Sequence, residues 1–320
     1  MNGRQENNQK FEKKIIAMIE DSMYDILDDY YYSLISKTPA TKKQYIREVI
    51  LFLDFIEYDD EPSSLKKVKT SDVNKYMEHI RYDKNGNEKA AMTRAASLYA
   101  ISNFFDFLVD DGYVKDNVCK EVSKPKGTQE KEIVSMTPEE IKLVEEHIVN
   151  EGNPKTKNRD LCIFVLGCVT GLRVSSIQEI NIEDIDYDNQ TIMVVEKENE
   201  VRPCYIGNKT IALIQEWLKD REKMMIGHTP CDALFISNRR NRISTMAIKH
   251  ILDVHTAMLD KHITPHQMRS SCATNLYQET GDICLVQEHL GHKNIANTRR
   301  YAKVSSEQKA KAVSIMEDLF

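Results

Sequence analysis

The sequence predicts a mainly helical (α+β) protein of two domains, the second holding a small three-stranded antiparallel sheet. Three observations carry this. At 320 residues the chain is too long for one ordinary hydrophobic core and suits two. Apolar residues recur three and four positions apart over most of it. One stretch, "DIDYDNQTIMVVEKENEVRPCYIG", instead alternates or runs apolar between turn-like breaks at "YDNQ" and "EKENE", which reads as a three-stranded meander.

In chain order, residues 1–12 are polar and expected to be disordered. Residues 13–115 read as a helical domain. Thr41 and Gln44 fit a capping box, and Ile46, Val49, Leu53 and Ile56 follow at helical spacing. A further helix is expected from Thr70 or Ser71, a break at "KNGNEK", and a long helix ending near Gly112. Residues 116–134 are polar and basic without a firm period, and read as a linker. The second domain, 135–320, opens at "MTPEEI". There Thr137 caps, Pro138 takes the first helical position, Glu140 closes the box and Met136 can staple onto Ile141. Helices resume after the sheet. The last begins at a Ser305/Gln308 box and carries Val313, Met316, Leu319 and Phe320 as an apolar stripe.

Composition narrows the class. Hydrophobic residues make up 41% and charged residues 29%, which predicts a soluble globular chain. The longest apolar run, Leu161 to Val169, is too short to span a bilayer, so no membrane partner is expected. The polar start "MNGRQENNQKFEKK" has no apolar signal core, and seven Cys without a CxxC pair fit reduced thiols, so a cytoplasmic protein is expected. Net charge is −6. Taken alone this counts against nucleic-acid binding. The charge is clustered, however, with base gathered in "KTPATKKQYIR", "SLKKVK", "KEVSKPKGTQEK" and "NRRNRISTMAIK", and local fields decide contacts.

Several short stretches carry chemistry-bearing residues. In "TPHQMRSSCAT", Thr264, Pro265 and Gln267 start a helix, so His266 and Arg269 share one face near its N-terminus, where free N–H groups suit an anion. In "LGCVTGLRVSSIQEI" a Thr-Gly break puts Arg173 at a helix start, where a guanidinium can grip a phosphate through two parallel N–H bonds. The bland reading is a pair with Glu179 or a nearby Asp. Lys197 sits at the predicted hairpin tip in "VVEKENEVRP". In "LGHKNIANTRRYAKV", His292 precedes Tyr301 by nine residues, with Arg299 and Arg300 between. "EHLGH" and Cys284 make a poor zinc site, since Gly291 interrupts the helix between the two His. No P-loop ending, GxSxG or HExxH occurs.

Taken in order, Arg173, Lys197, His266, Arg269, His292 and Tyr301 resemble the tyrosine recombinase (phage integrase, Xer-like) family. The matching motifs are "TGLRVS", the hairpin Lys, "HQMR" followed by "SSCAT", "LGH" and the Tyr after it. "TPEEI" resembles the family's catalytic-domain opening, and "TKKQYIREVILFLDFI" its core-binding domain. The resemblance implies a DNA strand-exchange enzyme with Tyr301 as nucleophile, forming a 3′-phosphotyrosine. Arg173, Arg269 and His292 would hold the phosphate, His266 would take the Tyr proton and Lys197 would protonate the leaving oxygen. No metal, ATP or other cofactor is implied. Double-stranded DNA and a homo-oligomer, a tetramer in the synaptic complex, are the partners implied, the terminal helix docking on a neighbouring protomer. Lys42, Lys43, Arg94, Arg240 and Arg242 are the candidate DNA-backbone contacts. Two departures stand out. Ser176 occupies the place of a Glu that braces the family's site, and Lys197 is surrounded by Glu196, Glu198 and Glu200 rather than glycines. The alternatives are a catalytically idle DNA-binding relative and a helical protein–protein adaptor. The adaptor would have no use for Arg173, Arg269 and Tyr301 together.

Overall fold

The computed structural model describes residues 3–125, 133–196, 200–301, 313–314 and 317. The chain divides into two compact units, residues 1–131 and 132–320.

The first unit contains α1 (Gly3–Ser22), α2 (Ile26–Ser33), α3 (Pro39–Phe55), the short α4 (Pro62–Leu65), α5 (Thr70–His79) and α6 (Ala91–Asp110). α1 and α6 both pack on α3, around a core rich in aromatic residues that includes Tyr30, Phe52, Tyr76, Phe104 and Phe105. Three expectations are corrected here. Residues 3–12 are helical, not disordered: Ile15 and Ile19 bury the far half of α1, and a helix once seated extends at little cost. The cap of α3 is Thr38 with Pro39 behind it, three residues before the expected Thr41; the Thr38 hydroxyl accepts from the Thr41 N–H at 3.3 Å. The presumed linker begins inside this unit. Asn117 donates to the Ser102 carbonyl and the Asp106 carboxylate, each at 2.9 Å, and Cys119 and Val122 are buried.

The second unit is arranged about α8 (Lys157–Thr170), buried nearly all round, as its unbroken "LCIFVLG" run requires. Against it pack α7 (Pro138–Glu151), α10 (Asn208–Met225) and α12 (Pro265–Thr280). α7 opens with the full Thr137/Glu140 box and α12 with the Thr264/Gln267 box. After the short α9 (Val174–Glu179) come β1 (Ile185–Asp186), β2 (Thr191–Val195) and β3 (Val201–Tyr205), an antiparallel meander in that order. Its register pairs Ile192 with Ile185 and Cys204, and Val194 with Arg202. α11 (Thr245–His255), α13 (Ile283–Leu290) and α14 (Ala296–Arg299) complete the unit. The cap and most of the stripe expected of the terminal helix fall outside the described residues; Val313 is helical and exposed.

Two helices end on left-handed glycines that set the site. Gly171 (φ 59°) closes α8 and Gly291 (φ 65°) closes α13. A Cβ on Gly171 would stand 2.5 Å from Leu290 Cδ2. Gly171→Ala should therefore destabilise the fold by about 2 kcal/mol, through left-handed strain and crowding together. Urea unfolding measures this, and an unchanged midpoint would show that the site relaxes freely.

Candidate active site

The site is built from three chain reversals. At the first, the Thr170 hydroxyl bonds back to the Leu166 carbonyl, Gly171 turns the chain and Arg173 becomes the N-cap of α9 in extended conformation. At the second, the Thr264 cap starts α12, placing His266 in its first turn and Arg269 one turn on. At the third, Gly291 ends α13 and turns the chain into His292, whose N–H bonds the Gln287 carbonyl at 3.0 Å.

Arg269 joins these reversals. It is 3% exposed and donates to the Gly171 and Leu290 carbonyls, the latter at 2.7 Å. Burial, then the nearby Arg173 guanidinium, pull its pKa down to about 10. His292 Nδ1 lies 2.9 Å from Thr298 Oγ1. Its pKa falls to about 4, chiefly from burial and then from Arg269 and Arg173. His266 keeps more solvent, yet loss of hydration and then Arg300, Arg269 and Arg173 lower its pKa too. Tyr301 is 4% exposed, in a small apolar cluster with Cys272, Ala273, Val286 and Leu290, and the Arg300 guanidinium lies 5.6 Å from its ring centre. A cavity of about 780 Å³ opens between Arg173, Arg202 and Glu196 on one side and Cys284, Gly291 and His292 on the other.

Five of the six expected residues are thus gathered in one region; Lys197 lies outside the described residues. Arg173 pairs with Glu196 rather than with Glu179. Sequence reasoning missed Glu196 and Arg202 as site residues. The signal was present, because strand alternation carries Ile192 and Val194 on to Glu196 on the buried face, where an acid needs a cation.

The expected DNA contacts are mixed. Lys42 lies over the Tyr31 ring at 4.6 Å and Lys43 over Phe11 at 5.9 Å. Arg94 pairs with Glu88 at 3.0 Å, and Arg240 caps the Asn238 carbonyl at 2.7 Å. The Arg242 guanidinium is held by the Gln178 carbonyl at 2.9 Å and by the Ile180 carbonyl and Asn181 side chain, so it also braces the loop beyond α9. Among the described residues no His/Cys/Asp/Glu group could hold a metal ion, and no helix is long and apolar enough to cross a membrane.

Two helical units, the second with a meander and an arginine–histidine site beside a tyrosine, define the class of tyrosine recombinases. The chain belongs to the phage integrase family. The phage integrase family model matches residues 134–308, and that of the phage integrase N-terminal SAM-like domain matches residues 27–112. The chain is similar to tyrosine recombinase XerC of Caldanaerobacter subterraneus, 28% identical over 94% of this chain and 90% of that protein. XerC of Haemophilus influenzae is 32% identical over 66% of this chain and 70% of that one. In fold it resembles XerH site-specific recombinase bound to palindromic difH substrate (TM-score 0.72, 20% identity, 97% of this chain and 89% of that one). It also resembles a lambda integrase dimer bound to a core site (TM-score 0.65, 18% identity, 86% and 93%).

The His292 shift has a testable sign. Between pH 6.5, the ordinary value, and about 4, the unfolded chain takes a proton that the folded chain refuses. This group therefore leaves stability unchanged above pH 6.5 and lowers it as pH falls toward 4. NMR titration of the free protein should place the His292 midpoint near 4. A midpoint at or above 6.5 would show that neither burial nor the neighbouring cations act on the ring.

Proposed function

We propose that the chain is a site-specific DNA recombinase in which Tyr301 attacks a phosphodiester of double-stranded DNA. The Tyr301 oxygen bonds to phosphorus, the bond to the 5′-oxygen breaks, and a 3′-phosphotyrosine and a 5′-hydroxyl result. That hydroxyl on another strand then attacks the phosphotyrosine, reseals the backbone and frees Tyr301. The observation that carries this reading is the gathering of Arg173, Arg269, His266 and His292 next to Tyr301, in a chain of the phage integrase family.

The chemistry follows from the electrostatics. A phosphodiester under attack gathers negative charge on its non-bridging oxygens, and preorganised guanidinium and imidazole donors stabilise it. Burial, and then these cations, lower the His266 pKa, which favours the neutral ring that a proton acceptor for a tyrosine requires. If Thr298 donates to His292 Nδ1, the ring proton sits on Nε2 and is free to reach a phosphate oxygen. Lys197, at the hairpin, is the proposed acid for the leaving oxygen. Because the nucleophile belongs to the protein and phosphotyrosine conserves the bond energy, the proposed route uses neither metal nor ATP. Lys42, Lys43, Arg94, Arg240 and Arg242 are proposed as backbone contacts. A tetramer on two DNAs, acting in the cytoplasm without membrane attachment, completes the reading. It is supported by the structural neighbour described as a lambda integrase tetramer bound to a Holliday junction.

The test uses nicked duplex sites, which trap the adduct. Wild type should give a protein–DNA complex that survives denaturing gels. Tyr301→Phe should bind the same DNA equally well and give none. Adduct at wild-type level from the Phe variant would remove Tyr301 from the reaction. Binding should also weaken steeply with salt despite the net charge of −6, because local basic clusters release phosphate counterions. A flat response would place those clusters away from DNA.

A further inference from the structure

We infer that Glu196 is a positioning residue: its buried carboxylate fixes the Arg173 guanidinium and ties it, through Arg202, to the turn that presents His292. The inference rests on the proposed placing of Arg173 at the reacting phosphate.

Glu196 follows β2 and is 7% exposed. The alternation that buries Ile192 and Val194 turns its side chain inward, and its N–H closes the hairpin on the Glu200 carbonyl at 2.8 Å. Arg202 stands opposite Val194 in β3 and so shares that face. Both carboxylate oxygens are engaged, Oε2 by Arg173 Nη1 and Oε1 by Arg202 Nη2 at 3.3 Å. Arg202 Nη2 also lies 3.5 Å from the His289 carbonyl, and the Arg202 guanidinium fills the space where a Gly291 Cβ would be, 2.6 Å from its Nε. The chain of contacts therefore runs from Arg173 through Glu196 and Arg202 to the "LGH" turn.

Arg173 needs such a hold. Among the described residues Glu196 is its one hydrogen-bond acceptor. It sits beside Arg269, a like charge. Ser176, in the first turn of α9, is buried and uses its hydroxyl on the Val195 carbonyl at 3.1 Å. It fastens α9 to the hairpin strand but brings no negative charge. The charge comes instead from the next residue of that strand. A carboxylate shared by two guanidinium groups restricts both and offsets their repulsion.

The test measures adduct formation on nicked DNA and, separately, DNA affinity. Glu196→Ala should form the adduct about 10²-fold more slowly, the scale of a misplaced group near the reacting atoms. Glu196→Gln, which keeps shape and one acceptor, should fall between. Affinity should hold or tighten, since a negative charge near phosphate is gone. If Glu196 acts through Arg173, adding Glu196→Gln to Arg173→Lys should cost no further rate. Cleavage by Glu196→Ala at or above the wild-type rate would overturn the assignment, the carboxylate then being a placeholder that DNA displaces. So would affinity lost in step with rate, or losses that multiply in the double variant. If the Ala variant does not fold, the isosteric Gln variant decides by the same criteria. No adduct from wild type would instead overturn the proposed function itself.

Discussion

The site depends on one buried cation. Arg269 is almost wholly shielded from water and, among the described residues, donates to carbonyls and to no carboxylate. Its guanidinium is held by two carbonyls at the C-terminal ends of α8 and α13. Helix C-termini carry partial negative charge from their unsatisfied carbonyls, so two of them aimed at one guanidinium compensate it without neutralising it. A carboxylate in that place would bind the cation more strongly and quench the field it projects. Carbonyl dipoles leave a net positive charge, and its pKa, lowered only to about 10, keeps that charge throughout the physiological range.

That arrangement explains why glycines stand in both motifs. The Gly171 carbonyl reaches Arg269 because left-handed closure of α8 turns it there, and the Leu290 carbonyl is presented by the equivalent closure at Gly291. The next residues then leave each turn into the cavity: Arg173 two positions after Gly171, His292 directly after Gly291. Packing and chemistry are therefore not separable here. The backbone geometry that satisfies the buried guanidinium is also what aims the second arginine and the imidazole.

Much of this was legible in the sequence because its determinants are local. The boxes at Thr137 and Thr264 and the Gly-terminated helices depend on neighbours within four residues and the meander on strands joined by short turns, and these formed as read. The misreadings share one cause, which is that distant contacts decided the outcome. Residues 3–12 are polar, but they extend a helix seated on α3. Residues 117–122 have no period, yet Asn117 finds partners on α6 and Cys119 and Val122 find the core. Glu196 looked like an acidic blemish beside Lys197. Strand alternation put it on the inner face, while the arginines that make an acid tolerable there come from α9 and β3.

Charge placement also reconciles an acidic chain with an anionic partner. Net charge governs long-range repulsion, which salt screens beyond roughly 8–10 Å, whereas a phosphate in the cavity responds to groups within that distance. There Arg173, Arg202 and Lys293 line the cavity with Glu196, Glu200 and Glu288, and the buried Arg269 adds a charge that no carboxylate bonds among the described residues. Burial first, and then the neighbouring arginines, lower the proton affinity of both imidazoles in the free protein. An anion entering the cavity reverses the sign of that influence, since it stabilises a protonated ring as strongly as the arginines disfavour one. The histidines therefore gain proton affinity when a phosphate arrives, which is when the proposed route needs a proton acceptor for the tyrosine and a donor to the phosphate. A site built from arginines alone would bind the anion but could not make that change.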